Sequence, residues 1–457
     1  MRSPASSIVF KVSRREPELI APAKPTPHEL KPLSDIDDQE GFRAHLPVIQ
    51  IYRHHSAMQG KDPVKVIREA IGKALVFYYP FAGRLREGPN RKLTVECTGE
   101  GVLFIEADAD FELEHSGNVL QPPFHFLDEF LFDVPGSSGI INCPLLLIQQ
   151  VTRLKCGGFV FALRFNHTMT DGSGLVQFMT SIGELARGEL SPRILPVWER
   201  QVLSARNPPR TTCIHREYDD FTTAIPFPLD DLVDQAFFFG PNEIAILRSY
   251  VPPHLRHCTT MEIVTACLWK CRTIALQSKP MLEMRILIAN NTRKKFSPDL
   301  IPKGYYGNGF MISTAVATAG ELVKNSIGYA LELIRKTKAE MTREYVQSAA
   351  DTLVIKGRPC FPVEGSYGIS DLRNLGFREV DFGWGKAIYG GVAKAIPILV
   401  SYYVAYENEK GENGFVLLAC LPAQVMERFA EELQNLLQGA KPFSDGDRLS
   451  PIVKSAL

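Results

Sequence analysis

The chain has no excess of charge of either sign: 457 residues carry 51 Lys and Arg against 51 Asp and Glu, a formal net charge of zero. Nucleic-acid binding usually shows as a basic excess or stripe, so a nucleic-acid partner is not expected. Long apolar runs are missing as well. The longest, such as Ala74–Pro80 and Gly158–Phe165, fall far short of the roughly 20 residues that span a bilayer. The opening stretch, MRSPASSIVFKVSRREPE, meets charge too early for a secretory leader. A soluble, cytoplasmic protein without a membrane partner is the expectation.

Paired cysteines are absent too. The nine are scattered, their number is odd, and no CxxC occurs, which fits reduced thiols better than a disulfide framework. Cys267 and Cys271 share one face of an expected helix, but no histidine lies at ligand spacing on that segment. They read as core thiols, and no metal is expected. Walker-type and GxGxxG phosphate loops, an HExxH zinc helix and a GxSxG elbow are all lacking. The missing elbow argues against a covalent serine hydrolase.

What is present reads as an ordinary globular chain, and its length suits two large domains. Strand and helix signals alternate throughout. Strands are expected over Ile8–Val12, Leu93–Cys97, Val102–Ala107, Leu145–Val151, Phe159–Phe165, Phe237–Phe239, Ile286–Asn290, Leu399–Ala405 and Phe415–Cys420. Helices are expected from Asp62-Pro63 onward, then over Gly172–Arg187, Thr260–Leu276, Glu321–Thr342 and Pro422–Leu437. Arg187 to about Phe227 is rich in Pro, Arg and Asp and reads as a linker between two α/β halves.

Asn166-His-Thr-Met-Thr-Asp-Gly172 follows an apolar strand and precedes a helix, a place where α/β proteins mount functional groups. Histidine takes and returns a proton near neutrality, which makes His167 a candidate base. Asp171 would orient the ring or hold the turn. On spacing alone, a strand-end histidine satisfied by hydrogen bonds is the commoner outcome. Asp381-Phe-Gly-Trp-Gly385 places a tryptophan between two glycines, which implies a turn with unusual dihedrals. A structural turn and a functional loop fit it equally well. Thr259-Thr-Met-Glu262 reads as a helix start whose free amides would meet an anion.

Together these segments closely resemble the BAHD acyltransferases, a plant acyl-CoA-dependent family. Its two signatures, HxxxDG and DFGWG, stand intact and in order at His167–Gly172 and Asp381–Gly385. Tyr79–Arg86, Thr260–Trp269, Asn291–Arg293 and Tyr306–Asn308 resemble further landmarks, and the likeness runs from Phe10 to Leu437. Glu16–Ala23, Leu33–Gln39 and Asp381–Ala387 are most similar to fruit alcohol acyltransferases that form volatile esters.

The resemblance implies two chloramphenicol-acetyltransferase-like α/β domains with a solvent channel between them. Residues 1–200 would form the first, 201–228 the crossover and 229–457 the second, with about 381–404 crossing back to the first. It implies acyl transfer from acyl-CoA to an aliphatic or benzyl alcohol, giving an ester and free CoA without an acyl-enzyme. CoA is then a substrate, no cofactor is needed, and the chain acts as a monomer. A phenolic, hydroxycinnamoyl or amine acceptor is the alternative within the family. Peptide-condensation domains, which share a HHxxxDG core, fit less well because the first histidine is Asn166 here, and a non-catalytic relative would lack His167.

By the same resemblance His167 is the general base, and Asp171 pairs with Arg293 in preference to polarising the ring. Asp381, with Gly383, Trp384 and Gly385, shapes the channel and is a weaker catalytic candidate. Ser370 is the oxyanion candidate, although Leu372 stands where some relatives carry a tryptophan; a backbone amide beside Gly172 is the other. Thr259, Thr260 and Asn308 match channel-facing positions and are candidates for binding CoA. The final Ser455-Ala-Leu457 is similar to a peroxisomal address without its basic centre, so a frayed tail is the preferred reading.

Overall fold

The computed structural model describes residues 10–113, 122–124, 126–131, 147–219, 231–296 and 299–439. Two mixed sheets organise these residues. The first runs in the order Val12–Arg14, Val102–Ala109, Leu147–Leu154, Phe159–Asn166, His45–Tyr52 and Tyr389–Val392, with Glu18–Ile20 also paired to Val102–Ala109. The second runs Leu232–Phe239, Asn413–Pro422, Val400–Glu407, Ser366–Asp371, Glu283–Asn291 and Phe310–Thr318. A small third sheet joins Leu30–Pro32, Leu93–Glu96 and Arg84–Glu87.

Phe159–Asn166 shows why the first sheet forms. Phe159, Val160, Phe161, Ala162 and Leu163 are all buried, the continuous apolar run of a strand covered on both faces. It pairs antiparallel with Leu147–Leu154 and His45–Tyr52. The helices Pro63–Phe77 and Gly172–Ala186 pack together in this half. Pro63 opens the former, and the Asp62 side chain accepts from the Val64 N–H. Its buried face carries Val64, Ile67, Ile71 and Leu75, each worth about 1.5–3 kcal/mol when fully buried. In the other half Thr260–Leu276 packs against Ile327–Ala339 and Ala423–Leu437.

Some expectations change. The long helix over Glu321–Thr342 is two, Ala319–Lys324 and Ile327–Ala339, with Asn325 and Ser326 extended between them. Lys270 explains the break: its Nζ donates to the carbonyls of Leu322, Val323 and Asn325, each at 2.7 Å. The strand His45–Tyr52, which carries Pro47, is not among the expected ones. Pro47 lies just past the pairing of Val48–Ile51 with Tyr389–Val392, where a missing N–H costs least.

Of the segment 381–404, Tyr389–Val392 pair in the first sheet, while the strand from Val400 stands in the second. Of the expected linker, residues up to 219 are described. Arg206 is fastened there to Asp351 through its N–H and Nε, both at 2.6 Å. Ile8, Val9, Leu145 and Ser455–Leu457 lie outside the described residues. Among the described residues no helix is long and apolar enough to cross a membrane.

Candidate active site

His167 directly follows the strand Phe159–Asn166, at the edge where the two sheets face each other across a cavity. Its N–H donates to the carbonyl of Ala44 at 3.0 Å, which fixes the end of the strand. The chain then turns because Asn166 Oδ1 accepts from the Thr168 N–H at 3.0 Å and its hydroxyl at 2.7 Å. Asp171 ends the turn by capping the helix Gly172–Ala186, accepting from the Gly174 N–H at 2.9 Å. Gly174 is required here: a Cβ would stand 2.2 Å from the carbonyl of Tyr306.

The cavity encloses about 90 Å³, room for several waters or a small organic group. Leu46, Val48 and Phe165 wall it from the first sheet; Phe310, Ser370 and Tyr402 wall it from the second. Leu372 and Leu375 also line it. The half-buried ring of His167 stacks on Phe42, with centroids 4.4 Å apart and planes 11° apart. Burial pushes the imidazole below its ordinary value, against the pull of its own carbonyl, Asp171, the Asn308 side chain and Asp37. The ring is therefore neutral at neutral pH, the form that accepts a proton.

Asp171 does not serve the ring directly. Its carboxylate takes two bonds from Arg293, at 2.7 and 3.0 Å, and one from the Gly309 N–H at 2.9 Å. Burial opposes its ionisation, but Arg293 and the two backbone amides outweigh that and hold the carboxyl below its ordinary value. Arg293 is braced in turn by the Tyr305 carbonyl at 3.2 Å and the Gly307 carbonyl at 2.5 Å. The pair thus joins the helix start of the first half to the start of the short helix Arg293–Phe296 in the second.

Ser370 and Gly172 share the cavity with His167; Thr259, Thr260, Asn308 and Asp381 do not line it. Thr259 is exposed and caps the helix Thr260–Leu276, while the Thr260 hydroxyl accepts from Arg248 at 3.0 Å. Asn308, for which the resemblance implies a channel-facing CoA contact, is instead fully buried. Its side chain is committed to Asp37 and to the His167 carbonyl.

Asp381 closes its own turn by accepting from the N–H groups of Gly383 at 2.7 Å and Gly385 at 2.8 Å. Both glycines have positive φ, 112° and 81°. Trp384 packs edge-on against Phe159 at 5.2 Å, and Phe382 packs on Tyr52 and Phe161. The Asp381 carbonyl lies so close to the helix Gly172–Ala186 that a Cβ on Gly183 would stand 2.4 Å from it. The turn anchors that helix and does not line the cavity that His167 borders. Cys267 and Cys271 are core thiols, and burial pushes Cys271 up to about 12.

Asp37 and Arg200 escaped the sequence reading. Both are fully buried and meet at 2.8 Å, and Arg200 also donates to the Met169 carbonyl at 2.8 Å. The one available signal was the Leu33–Gln39 stretch, where polar residues are interleaved with Leu33 and Ile36.

Residues 10–436 match the model of the Transferase family. A benzyl alcohol O-benzoyltransferase of Petunia hybrida is 59% identical over 441 residues, covering 95% of each chain. Alcohol acyltransferase 16 of Actinidia chinensis var. chinensis is 53% identical over 442 residues, covering 96% of each. Vinorine synthase shares the fold, with a TM-score of 0.73 at 21% identity, over 93% of this chain and 98% of that one. Fold and sequence thus define an acyl-transferring enzyme of the two-sheet α/β class. The chain belongs to the Transferase family, the BAHD acyltransferases.

Proposed function

We propose that this chain is an alcohol O-acyltransferase that passes an acyl group from acyl-CoA to an aliphatic or benzyl alcohol, with His167 as general base. The reaction class rests on full-length similarity to alcohol and benzyl alcohol acyltransferases. One observation supports the mechanism above others: a histidine kept neutral by burial borders an apolar cavity whose opposite wall carries a hydroxyl, Ser370.

An alcohol is a poor nucleophile while it holds its proton, whereas a thioester is an activated acyl donor. His167 takes the hydroxyl proton as the oxygen attacks the thioester carbonyl. The carbonyl π electrons move to its oxygen, and Ser370 donates a hydrogen bond to that oxyanion in a water-poor site. Collapse re-forms the carbonyl and breaks the carbon–sulfur bond; the sulfur leaves with the electron pair and takes the proton back from His167. No bond to the protein forms, so CoA is a substrate and not a resident cofactor.

Thr259 and Thr260, at the start of their helix, are the proposed CoA contacts. A cavity completed by one chain supports a monomer. The eight described cysteines, all free, fit a reducing compartment such as the cytoplasm. The test is product analysis by gas chromatography with acetyl-, butyryl- and benzoyl-CoA against aliphatic alcohols, benzyl alcohol, a phenol and an amine. Esters of the alcohols are expected. Product from the phenol or amine alone would overturn the acceptor class.

A further inference from the structure

We infer that Asn308, oriented by the buried carboxylate of Asp37, is a positioning residue that fixes His167 for proton transfer. The inference rests on the reading of His167 as the base. Asn308 is 0% exposed, and all of its donors are in use. Its backbone N–H and its Nδ2 each donate to Asp37 Oδ1 at 2.9 Å, and Nδ2 also donates to the His167 carbonyl at 2.8 Å. Two acceptors on Nδ2 settle which way the amide faces, because the flipped form would set oxygen against oxygen at both contacts. With both side-chain hydrogens spent, no donor remains for a phosphate or pantetheine group.

Asp37 is itself held from three directions. Arg200 donates to Oδ1 at 2.8 Å, and Ser34 donates to Oδ2 through its hydroxyl at 2.6 Å and its N–H at 3.2 Å. Segments around residues 34, 200 and 308 therefore converge on one carboxylate, and Asn308 carries their rigidity to His167. The backbone of His167 is pinned on both sides, by Ala44 at its N–H and by Asn308 at its carbonyl. Asp171, the Asn308 side chain and Asp37 all favour the charged imidazole formed during transfer, and of these only Asn308 also bonds the backbone of His167.

The test is steady-state kinetics of Asn308→Ala across pH, beside wild type and His167→Ala. Displacing a reacting group by an ångström costs up to about a hundredfold in rate. A kcat reduced by about ten- to a hundredfold is expected, with KM for acyl-CoA and alcohol within about twofold of wild type. The acid limb of kcat/KM should also move to lower pH, because a group favouring the charged ring is gone. Unchanged kcat with a raised KM for acyl-CoA would overturn the inference in favour of a CoA contact. A fall in kcat with the acid limb unmoved would overturn it in favour of a merely structural role. If Asn308→Ala does not fold, Ser34→Ala loosens Asp37 more gently and should show the same split at smaller size; wild-type kinetics there would overturn the inference. Activity retained by His167→Ala would sink the underlying reading instead.

Discussion

The turn that follows Asn166 and the turn that follows Val380 are made of similar parts. Each has an aspartate that accepts backbone N–H groups and glycines beside it, Gly174 for a close approach to Tyr306 in the first turn, Gly383 and Gly385 for positive φ in the second. Their settings differ. Asp171 reaches across to Arg293 and Gly309 in the other half, beside the cavity, while Asp381 closes on Gly383 and Gly385 within its own turn. Two signatures of equal sharpness in sequence thus have different physical jobs: one joins the halves where chemistry is possible, the other fastens a helix to a sheet.

Asp171→Asn should show the largest loss of stability. It breaks a buried two-bond ion pair and leaves Arg293 unmatched, at a cost of about 3–5 kcal/mol. Thermal melting and turnover should fall together; lost turnover at an unchanged Tm would give Asp171 a chemical role and erase the contrast. The pH dependence follows from the same pair. Because the Asp171 carboxyl is held below its ordinary value, its stabilisation is fully present above about pH 4 and is lost as pH falls through the folded-state value. Asp171→Asn should flatten that acid limb in a melting series.

Asp381→Ala should cost less, about 1–3 kcal/mol for two lost hydrogen bonds on a partly exposed carboxylate. Turnover per folded molecule should stay within a few fold of wild type, and a deep fall at an intact Tm would bring this turn into the chemistry. Gly385→Ala should be the mildest. Nothing lies within 4 Å of the added Cβ, so only its φ of 81° is penalised, by about 1–2 kcal/mol. A larger drop in Tm would show that the turn depends on more than its dihedrals.

The local pieces of this architecture were legible in the sequence. The strand into His167, the cap at Asp171 and the bent turn at Gly383 and Gly385 leave periodicity, capping and glycine signals within a few residues. What was not legible depends on distant partners. Asp37 meets Arg200 163 positions away and Asn308 271 positions away, and no short window carries such a relation. The resemblance alone made Asn308 a candidate ligand contact, whereas the structure buries it against Asp37 and the His167 carbonyl. The break in the helix over 321–342 was hidden for the same reason, since the carbonyls that end its first part bind Lys270, about 50 positions earlier in the chain.

The central claim is that the chemistry belongs to the cavity and its histidine. Ester formation by His167→Ala, measured with a melting curve on the same preparation, tests it most directly. The ring is half-buried, stacks on Phe42 and has no hydrogen-bond partner at Nδ1 among the described residues, so its removal should lower Tm by only a few degrees. Turnover should fall by about a hundred- to ten-thousandfold, the usual worth of a general base. A folded His167→Ala protein that keeps most of its activity would contradict the account.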